Sequence, residues 1–258
     1  MIKGSEEIAV LNDKNLVNKL TVKDIEDPAF DSNKNIIYFL DENNKINVFD
    51  GNGINVIDTG IEVDDLEYNP SNGYLYATSS EYGKIFVLDN QEILQTIDTG
   101  LGKVEYLTYN PSNGYMYGVD SYFLKDVVVI DGLEIVSKIP LGKSTNVNYL
   151  AYNPSNGYMY GVDRYFLNNV VVIDGKEIVN SIPIGVSTNI NYLVYNPSNG
   201  YMYGVDSYKG KIIILDSTGI IGNLSTGFKV DSLAYYRVNG YMYAVGNEQK
   251  NLKQMIMA

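Results

Sequence analysis

The sequence predicts an all-β protein, a β-propeller of six four-stranded blades closed by a composite blade made from both chain ends. Three observations carry this expectation. A stretch reading YNPSNGYMYGVD stands at 109–120, again at 152–163 and again at 195–206. Relaxed copies begin at Phe30, Tyr68 and Tyr235, so successive copies start 38, 41, 43, 43 and 40 residues apart. A period of roughly 40 to 45 residues is that of a four-stranded propeller blade. Each unit also holds four short runs rich in Val, Ile and Tyr, separated by Gly, Pro, Asn and Asp, the pattern of short strands joined by turns. Finally, runs such as VVVID are apolar at consecutive positions. Both faces of those strands must therefore be covered, as stacking of blades around an axis would do.

In chain order, residues 8–30 (IAVLNDKNLVNKLTVKDIEDPAF) align without a gap to residues 46–68 (INVFDGNGINVIDTGIEVDDLEY). The chain therefore starts in the back half of a repeat, with 8–11 and 16–22 as a hairpin of outer strands. In the clearest repeat the four strands are expected at 148–152, 158–162, 170–174 and 178–183. NPSNG joins the first two, with Pro where its fixed φ fits a turn and Asn-Gly where φ can be positive. Asp174-Gly175 does the same between the third and fourth. Pro70, Pro111, Pro154 and Pro197 fall in the first turn, and Pro28 precedes the first repeat at an equivalent strand start. Pro140 and Pro183 fall in the fourth strand, and a residue without an N–H confines that strand to the sheet edge.

Full units from Phe30, Tyr68, Tyr109, Tyr152 and Tyr195 make five blades of one domain, 1–258. For the sixth, the N-terminal hairpin is expected to supply outer strands and 230–236 with 241–245 the inner ones, which leaves no open seam. One conflict stands. KQMIMA at the C-terminus aligns with VVVIDG, so 255–257 and 8–11 claim the same third-strand slot. A leftover 255–257 would be free to pair with another subunit, a route to a homo-oligomer.

Composition excludes several chemistries. There are 24 Tyr against 7 Phe and no Trp, so the aromatic core is largely tyrosine. A net charge of -12 repels a phosphate backbone and argues against nucleic acid or an anionic membrane as partner, while suiting a basic or neutral one. Without cysteine there is no disulfide, thiol nucleophile or thiolate metal site. Without histidine there is no Ser-His-Asp triad, His base or His ligand. No apolar run approaches the length of a membrane span, and the opening MIKGSEEIAV lacks the apolar stretch of a secretory signal. A cytoplasmic protein is expected, or one that reaches a cell surface, the exterior or a virus particle with a leader outside this sequence or by another route.

With NPSNG before GYMYGVD and VVVIDG after it, the repeat resembles the YVTN-type β-propeller repeat of archaeal and bacterial surface-layer and extracellular proteins, over about residues 30–245. The resemblance implies the architecture and a kinship in fold with lactonase-like propellers. Gly-Val-Asp stands where Val-Thr-Asn would be expected, and no catalytic residue is carried over.

Asp41, Asp120, Asp163 and Asp206 recur at the end of the second strand, with Ser79 and Gly246 interrupting the ring. Such carboxylates could hold Ca²⁺ at the channel mouth. An Asp that ends a strand and accepts hydrogen bonds from its own loop accounts for the same pattern, so no cofactor is expected. The paired tyrosines, such as Tyr115 with Tyr117 and Tyr158 with Tyr160, could form a stacking platform. Their recurrence in every blade assigns them to the core, with hydroxyls at polar rims.

The leading expectation is a non-enzymatic binding or structural module presenting loops to a protein or glycan. The alternative is a metal-dependent, lactonase-like hydrolase with carboxylate ligands in the central channel. Between second and third strands most repeats carry short polar connections. The repeats from Tyr109 and Tyr152 instead carry Tyr122, Phe123 and Leu124, and Arg164 with Tyr165, Phe166 and Leu167. Adjacent apolar loops beside an Arg have the composition of an interface core, which makes these seven residues the expected partner site. Replacing Phe123 and Phe166 together by Ser is expected to keep stability within about half a kcal/mol, as for surface changes, while reducing partner capture. A steep drop in melting temperature with capture unchanged would place these loops in the core.

Overall fold

The structure, a computed structural model, describes the backbone of all residues except 1–4, 13–14, 24, 121–125, 142–146, 164–168, 186–187, 189, 208, 249–250 and 258. Side chains of 5–23, 105, 120, 148, 247–248 and 251–257 are also outside the described set. Strands β1 (Ser5–Asn12) and β2 (Asn15–Lys23) pair with each other as a two-stranded sheet. Five four-stranded antiparallel sheets follow, each in chain order from inner to outer strand. Blade 1 is β3 (Glu26–Asp31), β4 (Ile36–Leu40), β5 (Ile46–Phe49) and β6 (Ile54–Ile57). Blade 2 is β7 (Asp65–Asn69), β8 (Tyr74–Ser79), β9 (Lys84–Asp89) and β10 (Glu92–Asp98). Blade 3 is β11 (Val104–Tyr109), β12 (Met116–Asp120), β13 (Asp126–Asp131) and β14 (Glu134–Pro140), and blade 4 is β15 (Val147–Asn153), β16 (Tyr158–Asp163), β17 (Asn169–Asp174) and β18 (Glu177–Pro183). Blade 5 is β19 (Ile190–Tyr195), β20 (Met202–Asp206), β21 (Lys211–Leu215) and β22 (Ile220–Ser225). Blade 6 has three strands, β23 (Val230–Tyr236), β24 (Tyr241–Glu248) and β25 (Asn251–Met257).

The repeat arithmetic and the strand order hold. Pro140 and Pro183 end the edge strands β14 and β18, where a missing N–H breaks no ladder. Val127 to Ile130 and Val170 to Ile173 are buried at every position, as unbroken apolar runs require. Gly114, Gly157 and Gly200 in NPSNG take φ of 79, 80 and 79°, the positive region that the Asn-Gly step predicts.

The closing blade differs from expectation. The third-strand slot goes to β25, which pairs with β24 from Met242 opposite Met257 to Glu248 opposite Asn251. The N-terminal hairpin joins neither strand and stays a sheet of its own. Backbone register explains the choice: Met257 stands opposite Met242 as Leu215 stands opposite Met202 in blade 5. Residues 255–257 therefore lie within this blade, as part of its third and outermost strand.

Packing is organised by seam. Five clusters of buried apolar residues each join one blade to the next: blades 1 and 2, 2 and 3, 3 and 4, 4 and 5, and 5 and 6. In blades 1 to 5 the tyrosine at the repeat's second-tyrosine position belongs to them, with Tyr76, Tyr117 and Tyr160 fully buried. Its hydroxyl accepts from the turn Asn of its own blade, as in Asn113 Nδ2 to Tyr117 at 2.8 Å. The Tyr117 hydroxyl then donates to the Gly175 carbonyl of the following blade at 2.8 Å, and Tyr76 does so to Gly132. The NPSNG turn adds two further clips. Asn69, Asn110 and Asn153 donate across the seam to the carbonyls of Gly114, Gly157 and Gly200 at 2.7, 2.8 and 3.0 Å. The serine hydroxyls of Ser112, Ser155 and Ser198 meet Tyr152, Tyr195 and Tyr235 of the next blade at 2.5, 2.5 and 2.7 Å, and Ser71 meets Tyr109 likewise.

These clips make a single turn residue expensive to remove. Asn110 is fully buried, and it also accepts the Ser112 N–H at 2.8 Å. Asn110→Ala therefore orphans a carbonyl and an N–H, and a loss of about 1 to 3 kcal/mol is expected in urea unfolding. Gly161→Ala tests the packing directly. A Cβ there would lie 2.8 Å from Val147 and 2.9 Å from Val171, so a drop of about 1 to 3 kcal/mol is expected from overpacking.

Candidate functional site

The sequence-predicted positions divide in two. Tyr122, Phe123, Leu124, Arg164, Tyr165, Phe166 and Leu167 all lie outside the described residues. The recurring carboxylates that are described bind their own loops. Asp41 accepts the N–H of Asn43 at 2.8 Å and of Lys45 at 3.2 Å, and Asp206 accepts that of Lys209 at 3.2 Å. Asp163 and Asp206 are fully buried at their strand ends, and the Asp120 side chain is outside the described set. Among the described residues no three carboxylates gather closely enough to hold a metal ion. The oxygens of Asp41 and Asp206 are thus turned to backbone N–H groups of their own loops.

A different arrangement stands out at the opposite, NPSNG end of the inner strands. Between blades 1, 2 and 3 lies a cleft of about 460 Å³ lined by Phe30, Leu66, Glu67, Tyr68, Pro70 and Tyr109, among others, within the size range of ligand pockets. Its walls are aromatic and aliphatic, and Glu67 brings a carboxylate into them. Asp65 and Glu67 are two apart on β7, hence on one side of the strand. They reach across the seam to β11: Asp65 accepts the Leu107 N–H at 3.0 Å and Glu67 the Tyr109 N–H at 3.3 Å.

Burial dominates the electrostatics of this pair. Desolvation pushes Glu67 up to about 7, against the lowering effect of the Tyr109 N–H, with Asp65 adding to the rise. Asp65 rises to about 6, first by desolvation and then, despite the Leu107 N–H, by the charges of Asp27 and Asp64. Behind the cleft, Asp31 is fully buried with its Oδ1 accepting the Asn33 and Lys34 N–H groups at 2.9 and 3.1 Å. Among the described residues its Oδ2 and the Tyr68 hydroxyl make no hydrogen bond within ordinary geometry, and Lys34 Nζ stands 3.8 Å from Oδ2. Asp31 occupies the place of Asn69, Asn110 and Asn153, and a carboxylate lacks the N–H₂ that would clip the next blade.

Sequence reasoning missed this site, although a signal exists. Three positions before the repeat's leading aromatic, the aligned residues read Asp27, Asp65, Tyr106, Tyr149, Tyr192 and Ser232, so the carboxylates break the repeat in blades 1 and 2. Tyr106 and Tyr149 are exposed on their inner strands, which gives the inner ring an acidic arc beside a tyrosine arc.

No protein-family model matches the chain, and no curated protein matches it. Solved structures do. A chain of Kuenenia stuttgartiensis hydrazine synthase is similar with a TM-score of 0.65 at 16% identity, covering 95% of this chain and 87% of that one. A chain of a mitotic checkpoint complex gives 0.62 at 12% identity over 90% and 78%. The WD40 β-propeller domain of Doa1 gives 0.59 at 12% identity over 99% and 86%.

The fold is a β-propeller.

At such identities the likeness shows the fold alone, and the propeller's chemistry must be argued from its own residues. The raised carboxyls set a pH dependence. Folding holds the Glu67 proton more tightly than the unfolded chain does, so this contribution is full below the unfolded value near 4.5 and is lost as pH rises through about 7. Asp65 acts likewise between its ordinary 3.8 and about 6. Melting temperatures of wild type and Glu67→Gln across pH 4.5 to 8 check this: the difference between them should grow in favour of the variant as pH rises.

Proposed function

We propose that this propeller is a non-enzymatic interaction module that holds a protein partner by a basic side chain inserted into the cleft between blades 1, 2 and 3. The observation that supports the reading is Glu67, a carboxyl desolvated among Phe30, Tyr68 and Tyr109. An incoming ammonium or guanidinium replaces the charge stabilisation that burial removed, and aromatic faces attract the same cation. The net charge of -12 steers basic partners toward the disc. The chain has neither an imidazole base nor a thiol nucleophile, and apolar and aromatic walls around one carboxyl are the composition that holds a cationic side chain.

Binding to a cation favours ionised Glu67, so affinity is expected to rise as pH increases from 6 to 8. Capture from native extract by immobilised wild type and Glu67→Gln, at both pH values and with mass-spectrometric identification, tests the reading. The expected result is a basic partner whose retention falls about tenfold or more in the variant, the size of a lost charged hydrogen bond. Equal retention by both proteins at both pH values would refute the cleft as the binding site.

A further inference from the structure

The repeat supplies its own control for what the cleft between blades 1, 2 and 3 can hold. One position before the leading aromatic, the six blades read Ala29, Glu67, Thr108, Ala151, Val194 and Ala234. A carboxyl therefore stands at this place once, in blade 2. The leading aromatic is Tyr in every blade but the first. There it is Phe30, 61% exposed and without the hydroxyl that Tyr109, Tyr152, Tyr195 and Tyr235 set against a turn serine. Features needed for folding recur from blade to blade, and these two do not. Both line the cleft.

The walls limit which cation can be seated. Phe30, Tyr68 and Tyr109 bring one aromatic side chain from each of three successive blades, and Pro28 and Pro70 add apolar surface. Acceptors on the lining side chains are few. Glu67 Oε1 already accepts the Tyr109 N–H at 3.3 Å, which leaves Oε2. The Tyr109 hydroxyl is engaged with Ser71, the Tyr68 hydroxyl is buried, and Ser32 adds one more hydroxyl. An entering group gives up water at every N–H it carries, and an N–H left without an acceptor costs free energy. A guanidinium carries five such donors and a lysine ammonium three, more than these side chains receive well. Methylation removes donors while the positive charge stays. The methyl groups then meet apolar walls, and aromatic faces still attract the charge they carry.

We infer, resting on the reading of this cleft as the seat of a partner's basic side chain, that it selects the N-methylated ammonium of a methyl-lysine over an unmethylated lysine or an arginine. Glu67 supplies the charge complement and the aromatic side chains supply the selectivity.

Isothermal titration calorimetry on the full chain at pH 8, above the value of about 7 at which Glu67 ionises, tests this with capped tripeptides holding one lysine between two glycines. The lysine is unmodified, dimethylated or trimethylated. An arginine peptide, a peptide with the uncharged carbon analogue of trimethyl-lysine, and free choline are titrated beside them. The methylated peptides are expected to bind about fivefold or more tightly than each of these and than unmodified lysine, the size of a cation held against aromatic faces. Phe30→Leu, at an exposed position, should narrow that margin, and Glu67→Gln should weaken every charged peptide. Equal or tighter binding of unmodified lysine or arginine overturns the selectivity while leaving a basic side chain in the cleft. Tighter binding of choline overturns the side-chain source in favour of a free quaternary amine. Equal binding of the uncharged analogue, or no binding of any charged peptide, removes both the selectivity and the cationic reading beneath it.

Discussion

The structure depends on the hydrogen-bonded clip from one blade's NPSNG turn to the next blade. Apolar clusters alone would let neighbouring sheets slide, since dispersion is non-directional. Donors such as Asn110 Nδ2, 2.8 Å from Gly157, and the Tyr117 hydroxyl, 2.8 Å from Gly175, fix how far one blade is advanced on the other. The turn therefore does two tasks. It reverses the chain within a blade, and its side chains set the register between blades.

The same device explains why tyrosine outnumbers phenylalanine so heavily. A ring deep in a seam supplies volume, and its hydroxyl reaches a polar rim where a turn Asn and a foreign carbonyl complete it. Burial raises Tyr76 and Tyr117 to about 12, so these hydroxyls stay protonated and remain donors. Where the chain departs from the repeat, the departures cluster: Asp31 for Asn, Asp65 and Glu67 on β7, Phe30 for Tyr, and Val238 for Ser. Four of these five lie in blades 1 and 2, which concentrates individuality on one part of an otherwise uniform repeat.

Much of the architecture was legible because it is written locally and repeated. Period, strand number, turn positions and the edge placement of Pro140 and Pro183 each follow from the backbone needs of Gly, Pro and β-branched residues. The closing blade was less legible, since 8–11 and 255–257 both match a third strand and local pattern carries no preference between them. Pairing with β24 was decided by which segment could lie along that edge. The candidate site was legible only in part: the loops around Phe123 and Phe166 attracted attention as exposed apolar runs, whereas Asp65 and Glu67 looked like ordinary polar strand residues. Their character comes from β11, whose N–H groups and tyrosine cover them.

By itself, the sequence determined an all-β repeat of four-stranded units, a tyrosine core, and a chemistry without histidine or cysteine, because composition and short-range periodicity depend on no distant partner. Only the tertiary structure decided which strand completes blade 6, that NPSNG clips blades together, and that Glu67 loses its solvent. The first rests on β25 folding straight back along β24; the other two rest on residues about one repeat apart being brought within hydrogen-bond reach, and no local pattern encodes that meeting.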